Sequence, residues 1–267
     1  MDADAPLPEV RDWRASCRRL RLVAGQTLSE ALRLRLAVLF AALGIALVLM
    51  ALGLREFNFG AAELKFIADF GLGAIGLLGT LLAVLAMAQL VFPDLENGFA
   101  ACVLAKAVHR WEYLGGRFAG VAALLALFVA GLTLVLGALI GVREAQLGAA
   151  FVPLPVLLQA SALVWLKTTL VAAMTLFVCS YAGSALFASC AGLLLAAIGH
   201  LRSFSDNAGW LGWLRVWPDL GLFDVDPLLS GGHGLTWDTL LSLGGYWLVF
   251  TVLLTGLSAY VFNHREL

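Results

Sequence analysis

Lys167, followed by Thr168 and Thr169, is the sharpest chemical feature of the chain, because it interrupts a long apolar run. A lysine at such a position costs about 2.5–3.5 kcal/mol on insertion scales, so it faces a cavity, a partner or an interface. With the two threonines it is the candidate lining of a polar translocation path. The competing reading is a lysine near a membrane boundary whose head snorkels to water. Asp69, at the start of another apolar run, reads as an interfacial anchor or helix cap. Other chemistry is thin. His109, His200, His233 and His264 offer neither facing haem ligands within apolar runs nor a zinc spacing. Cys17, Cys102, Cys179 and Cys190 are scattered without a CxxC pair, which argues against a disulfide framework or metal site. No GxxxxGK[ST] phosphate loop is present. No catalytic residue and no metal ligand is expected.

The densest polar text lies between the second and third apolar runs. Asp94, Glu96, Lys106, Arg110 and Glu112 alternate there with the rings of Trp111 and Tyr113. A short helix with this content can anchor to a partner by its rings and be oriented by its charges. The bland alternative is a solvated loop whose charges only set topology.

The elements that must position these residues follow from composition. Of 267 residues, 61% are hydrophobic and only 13% charged, with a mean hydropathy of +0.93. A soluble domain runs nearer one half and one quarter, so the bilayer is the natural solvent. A net charge of −1 leaves no basic footprint for nucleic acid. Apolar runs long enough to cross a bilayer lie at about 36–54, 67–92, 118–141, 160–181, 184–200 and 239–261. Lipid cannot satisfy open backbone groups, so each run should be a helix. The expected fold is all-α and integral to the membrane, with six transmembrane helices. The first run follows a long Arg-rich segment and is too long for a signal-peptide core, so it should remain as a span.

Charge sets the expected orientation. With the N-terminus inside, eleven cationic residues lie inside and five outside, and Lys167 lies within the fourth span. Both termini should then be cytoplasmic. Residues 1–31 should form an N-terminal cytoplasmic segment and 32–267 a six-helix transmembrane domain, with a long outer loop at 201–238. Val10, Trp13, Cys17, Leu20 and Ala24 form one helical stripe, and Arg11, Arg14, Arg18 and Arg21 the next. Such a helix lies flat at the cytoplasmic membrane surface with its arginines toward anionic head groups. Trp210, Trp213, Trp217 and Trp237 suit an outer interfacial belt, so the outer loop should dip into that interface as short helices.

These motifs, in this order, resemble the membrane-spanning subunits of ABC-2-type transporters. The resemblance rests on Phe92-Pro93-Asp94-Leu95-Glu96-Asn97-Gly98 and on the stretch Leu104 to Gly120, which includes Lys106, Arg110, Trp111, Glu112, Tyr113 and Arg117. Ile67 to Leu72, Ile198 to Leu201, Trp217 to Asp224 and the ending Phe262 to Leu267 extend it over roughly residues 28 to 267. Ala107 stands where the family usually has proline, and Asn97-Gly98-Phe99 replaces a more polar run. Leu229 to His233 resembles the signature loop of ABC ATPases, but it falls in the outer loop and reads as a Gly-Gly turn.

The resemblance implies a second permease subunit, identical or different, and a cytoplasmic ATPase that carries the ATP and magnesium; this chain itself would hold no cofactor. The segment between spans two and three would be the coupling helix that fits the ATPase. The implied role is half of the path of an ATP-driven exporter in the cell membrane, the inner membrane in a bacterium. The alternatives are a membrane-embedded enzyme or redox subunit, and a carrier working alone. The first would need ionisable groups converging mid-membrane, the second internal repeats or intramembrane carboxylate pairs.

Overall fold

A computed structural model describes residues 13–53, 63–96, 109–147, 153–205, 217–225 and 234–264. Among these the chain is helical, with no strand. Helix α1 spans Trp13–Arg33, α2 Arg35–Gly53, α3 Glu63–Glu96, α4 Arg110–Leu147, α5 Leu154–Tyr181, α6 Ala185–Ser205 and α7 Trp237–Asn263; Gly221–Phe223 forms a 3-10 turn. Five of the helices, α3 to α7, are each long and apolar enough to cross a membrane. The pair α1–α2, bent by 63° at Leu34, supplies a sixth candidate span. The chain thus has the character of a multi-pass membrane protein.

The helices coincide with the six apolar runs but outlast most of them. α3 begins four residues before its run and α4 extends past its run at both ends. Hydropathy finds only the part that suits hydrocarbon, while the backbone continues its hydrogen-bonded turns into the polar flanks. Pro93 lies in the last turn of α3, where a missing N–H costs less than at mid-helix.

α3 and α5 pack together at the centre, and α4 lies against both. α2 covers α3 and α4, α6 covers α5 and α3, and α7 covers α5 and α4. Burial separates the middle from the rim: 72% of the apolar window of α5 is buried, against 11% for α7. The exposed faces of α2, α6 and α7 carry Leu39, Leu186, Leu194, Leu248 and Val252, a surface suited to acyl chains rather than water.

α1 packs chiefly along the first turns of α4. Its inward stripe is Ser16, Leu20, Val23, Thr27 and Ala31, and Cys17 is exposed. The stripe expected to meet the membrane surface, through Cys17 and Ala24, lies beside this inward one; Val10 and Arg11 lie outside the described residues. Small and polar residues win the inward face because the backbones approach closely. A Cβ on Gly116 would stand 2.6 Å from the Cβ of Val23, and one on Gly120 would stand 2.9 Å from the carbonyl oxygen of Ala24. Gly116 and Gly120 thus act as a small-xxx-small ridge, the device that brings helices together where lipid supplies no hydrophobic drive. Arg14, Arg18 and Arg21 remain on the outer face of α1.

This packing gives a paired test by thermal unfolding in detergent. Gly120→Ala should destabilise the chain by about 1–3 kcal/mol through overpacking. Gly73→Ala, where an added Cβ meets no atom within 4 Å, should stabilise it by up to about 1 kcal/mol. Equal effects would contradict the close contact of α1 and α4.

Candidate functional site

Two clusters of polar side chains lie at opposite ends of the helix bundle. The first gathers around Arg117, in the second turn of α4. Its side chain is 1% exposed and is met from two sides. One terminal nitrogen donates to Glu30 on α1 at 2.5 Å and to Thr27 Oγ1 at 3.3 Å. The other donates to Asp94 in the last turn of α3. Tyr113, one turn earlier on α4, donates its hydroxyl to the same Asp94 carboxylate at 2.5 Å, and its ring lies 5.7 Å from the Arg117 guanidinium carbon. One guanidinium therefore joins α1, α3 and α4.

A second charge pair closes the same interface. Glu112 is fully buried and takes two hydrogen bonds from Arg19 of α1, at 2.9 Å and 3.0 Å. The same carboxylate accepts the backbone N–H of His109 at 3.1 Å. Glu112 is the third residue of α4 and His109 precedes its first, so this is half of a capping box as well as an ion pair. Neighbouring Arg110 turns the other way. Its guanidinium donates to the backbone carbonyls of Phe262 at 2.7 Å and Asn263 at 2.9 Å, closing the end of α7. Those carbonyls lie at the C-terminal end of α7, the negative end of the helix dipole, so a cation fits there. Tyr113 stacks on Phe262 with ring centres 6.4 Å apart. Four helices are thus tied together around the two ends of the 97–108 connection.

The residues expected on a coupling helix are divided between two long helices. Asp94 and Glu96 fall in the last turn of α3, and Arg110, Trp111, Glu112 and Tyr113 open α4; Lys106 lies outside the described residues. Asp94, Arg110, Glu112 and Tyr113 are engaged inside the chain. Trp111 is half-buried, and its indole N–H has no acceptor among the described residues. Sequence reasoning missed the roles of Glu30 and Arg19 and the burial of Arg117, which it counted as a topology charge and as part of the family-like stretch. The available signal was an arginine set between Gly116 and Gly120, since glycines on both sides permit the close packing that buries it.

The second cluster surrounds Lys167. Its ammonium pairs with Asp224 at 2.6 Å, and the two side chains are 13% and 51% exposed. Both line a cavity of about 440 Å³ together with Asp69, Thr80 and His200. Thr168 and Thr169, grouped with Lys167 by sequence, do not line it. Thr168 is fully buried and bonds the carbonyl of Val164 at 3.0 Å, with its methyl where a Cβ on Gly79 would come within 2.9 Å. Thr169 accepts the indole N–H of Trp247 at 2.9 Å, fixing α7 to α5. The segment 217–225 packs over α6: Leu220 and Phe223 are fully buried, and the N–H of Leu220 reaches the carbonyl of Gly199 at 3.1 Å. Of the four tryptophans assigned to the outer loop, Trp237 is 79% exposed, Trp217 is half-buried, and Trp210 and Trp213 lie outside the described residues.

No protein-family model matches the chain, and no curated protein matches it.

The Arg117 cluster makes a quantitative prediction. Arg117→Met leaves the inward-facing Asp94 without its cation and should cost about 3–5 kcal/mol. Glu30→Gln should cost about 1 kcal/mol or less, because the Glu30 side chain is 40% exposed and water can replace its partner. Chemical unfolding of the purified variants measures both. Similar costs would show that the ion pair with Asp94 carries no special weight.

Proposed function

We propose that this chain is the membrane-spanning subunit of an ABC-2-type ATP-driven transporter, an exporter in which it forms half of the translocation path. A separate cytoplasmic ATPase hydrolyses ATP and docks on the connection between α3 and α4, and a second permease subunit completes the path. In this reading the Arg117 end of the bundle is cytoplasmic, as are both termini, and the chain resides in the cell membrane.

The observation that carries the reading is the anchoring of that connection at both ends. Asp94 precedes it and is bonded to Arg117 and Tyr113; Glu112 and Arg110 follow it and are bonded to α1 and α7. A displacement applied to residues 97–108 therefore reaches α1, α3, α4 and α7 through short polar contacts rather than through a slack loop. A transporter driven from outside the membrane requires such a linkage, since packed helices change as units between discrete arrangements. The ordered family-like motifs and the six apolar helices support the same conclusion. Trp111, half-buried at the start of α4, is the ring best placed to contact the ATPase.

The test asks first whether a neighbouring gene encodes an ABC ATPase, and then whether that ATPase co-purifies with this chain. Trp111→Ala should weaken assembly by about 2 kcal/mol, as an interface hot spot does, while thermal stability of the isolated chain changes little. A cysteine at Lys106, in a background free of the native cysteines, should cross-link to the ATPase. Reagents confined to one side should reach native Cys17 and a cysteine placed at Leu222 from opposite faces of the membrane. An unaltered complex in Trp111→Ala with no cross-link at Lys106, or labelling of both positions from one face, would overturn the proposal.

A further inference from the structure

The segment 217–225 closes one side of the cavity beside Lys167, with Phe223, Asp224 and Val225 in its lining. Its two halves are held differently. At 217–220 the backbone is bonded to α6 and α7. Arg202 donates to the Trp217 carbonyl, the Asp219 N–H donates to the Tyr246 hydroxyl at 2.7 Å, and the Leu220 N–H donates to the Gly199 carbonyl at 3.1 Å. A Cβ on Gly199 would come within 2.8 Å of the Leu220 side chain and 3.2 Å of the Pro218 carbonyl oxygen, so this half lies directly on the α6 backbone. The Asp219 carboxylate then accepts the N–H of Gly221 at 2.9 Å, where the 3-10 turn begins. Beyond that point the chain reaches α5. The fully buried Phe223 ring lies 6.2 Å from the Tyr246 ring, and Asp224 meets Lys167.

The turn of α5 that carries Lys167 is fixed from three directions. The indole N–H of Trp165 donates to the Ala122 carbonyl of α4 at 3.0 Å, and Thr169 accepts the indole N–H of Trp247 on α7 at 2.9 Å. The Thr168 methyl fills the space over Gly79 of α3. Asp224 has no such enclosure: its side chain is 51% exposed, against 13% for Lys167. The pair therefore joins a fixed wall to the less constrained half of the segment. An ion pair with one member in water contributes little, so its release is cheap. Release also strands neither charge, because water that enters as the Asp224 half lifts takes over the ammonium. Burial of Phe223 and the ion pair together favour the closed arrangement.

We infer that residues 221–225 are a hinged cover on the cavity, anchored at 217–220 and latched to α5 by the Lys167–Asp224 pair, and that release of this latch admits water and water-soluble solutes. Local openings of this kind draw on segments held by few buried contacts. The cover belongs to this chain alone and requires neither an ATPase nor a transported substrate.

The test follows the full chain, purified alone in a neutral maltoside detergent, with Ala196→Cys as the probe. Ala196 lines the cavity, is 4% exposed and lies one turn before Gly199 on α6. Cys17, Cys102 and Cys190 are replaced by alanine, and buried Cys179, near the other end of α5, is kept as the internal control. Iodoacetamide, which is small, uncharged and water-soluble, should label the probe slowly in the parent. Lys167→Met should speed that labelling about two- to fivefold, the factor that an ion pair with one exposed member is worth. Loss of a neighbouring ammonium would by itself slow a thiol, so a rise reports access. Residue-resolved hydrogen exchange gives a second reading. Lys167→Met and Asp224→Asn should each speed exchange of the amides at 223 and 224 by a similar factor, while the Leu220 amide, bonded to Gly199, keeps its rate. The double variant should go no further than the faster single one. Labelling unchanged or slower in Lys167→Met, exchange at 220 rising with that at 223 and 224, or Cys179 labelling in step with the probe would overturn the inference. None of these results bears on ATPase docking, and failure of docking would leave them standing.

Discussion

A guanidinium that is 1% exposed must be given anions and acceptors, and the rest of the structure at that end follows from the need to supply them to Arg117. Asp94 can reach it only if α3 continues past the apolar run for another turn, through Pro93. Glu30 and Thr27 can reach it only if α1 lies along α4 instead of extending away. The bend of 63° at Leu34 reconciles that position of α1 with the course of α2. Buried ion pairs contribute little net stability compared with apolar packing, but breaking one is costly. The cluster is best understood as fixing a particular arrangement of α1, α3 and α4.

Close approach of the backbones makes the cluster possible. Gly116 and Gly120 flank Arg117 and let α1 settle against α4 until Val23 and Thr27 touch the glycine backbone. Without that approach, Arg19 could not bond Glu112 with two nitrogens. The charges, in turn, select the register in which the small residues face one another. At the other end of α4, Arg143 pairs with Glu63 of α3, so these two long neighbours are held near both ends. Between the ties most contacts are apolar, with Thr168 and Thr175 bonded to their own helix and two indole N–H groups crossing between helices, Trp165 to the Ala122 carbonyl and Trp247 to Thr169. This separation puts specificity at the ends and lets the middle pack by shape.

The six helices were legible because hydrocarbon demands long apolar runs, and that signal survives in a single sequence. The break between α5 and α6 was legible for the same reason, since one apolar run stops at 181 and the next begins at 184. Their true ends were not, because α3 and α4 continue into polar text that hydropathy reads as loop. The packing of α1 on α4 was not legible: the stripe through Cys17 was read for the membrane surface, and nothing in it pointed to Val23 and Thr27 turning inward onto Gly116 and Gly120. Small-residue packing carries almost no hydropathy signal. Lys167 was visible as an anomaly, but its partner Asp224 lies 57 positions away in a segment with no periodicity. Pairings of that kind depend on tertiary approach and leave no local mark, as does the meeting of Asp94, Glu30 and Arg117.

The central claim is that Arg117 and Asp94 act as one unit that locks three helices, and a double-mutant cycle tests it most directly. The cycle comprises Arg117→Met, Asp94→Asn and the double variant, each unfolded chemically in the same detergent. Residues in one buried network show interaction energies of about 0.5–3 kcal/mol, and this pair should fall in the upper half of that range. The double variant should then be markedly more stable than the two single losses would give if added, since neither charge is left alone. Strict additivity within about 0.5 kcal/mol would contradict the account.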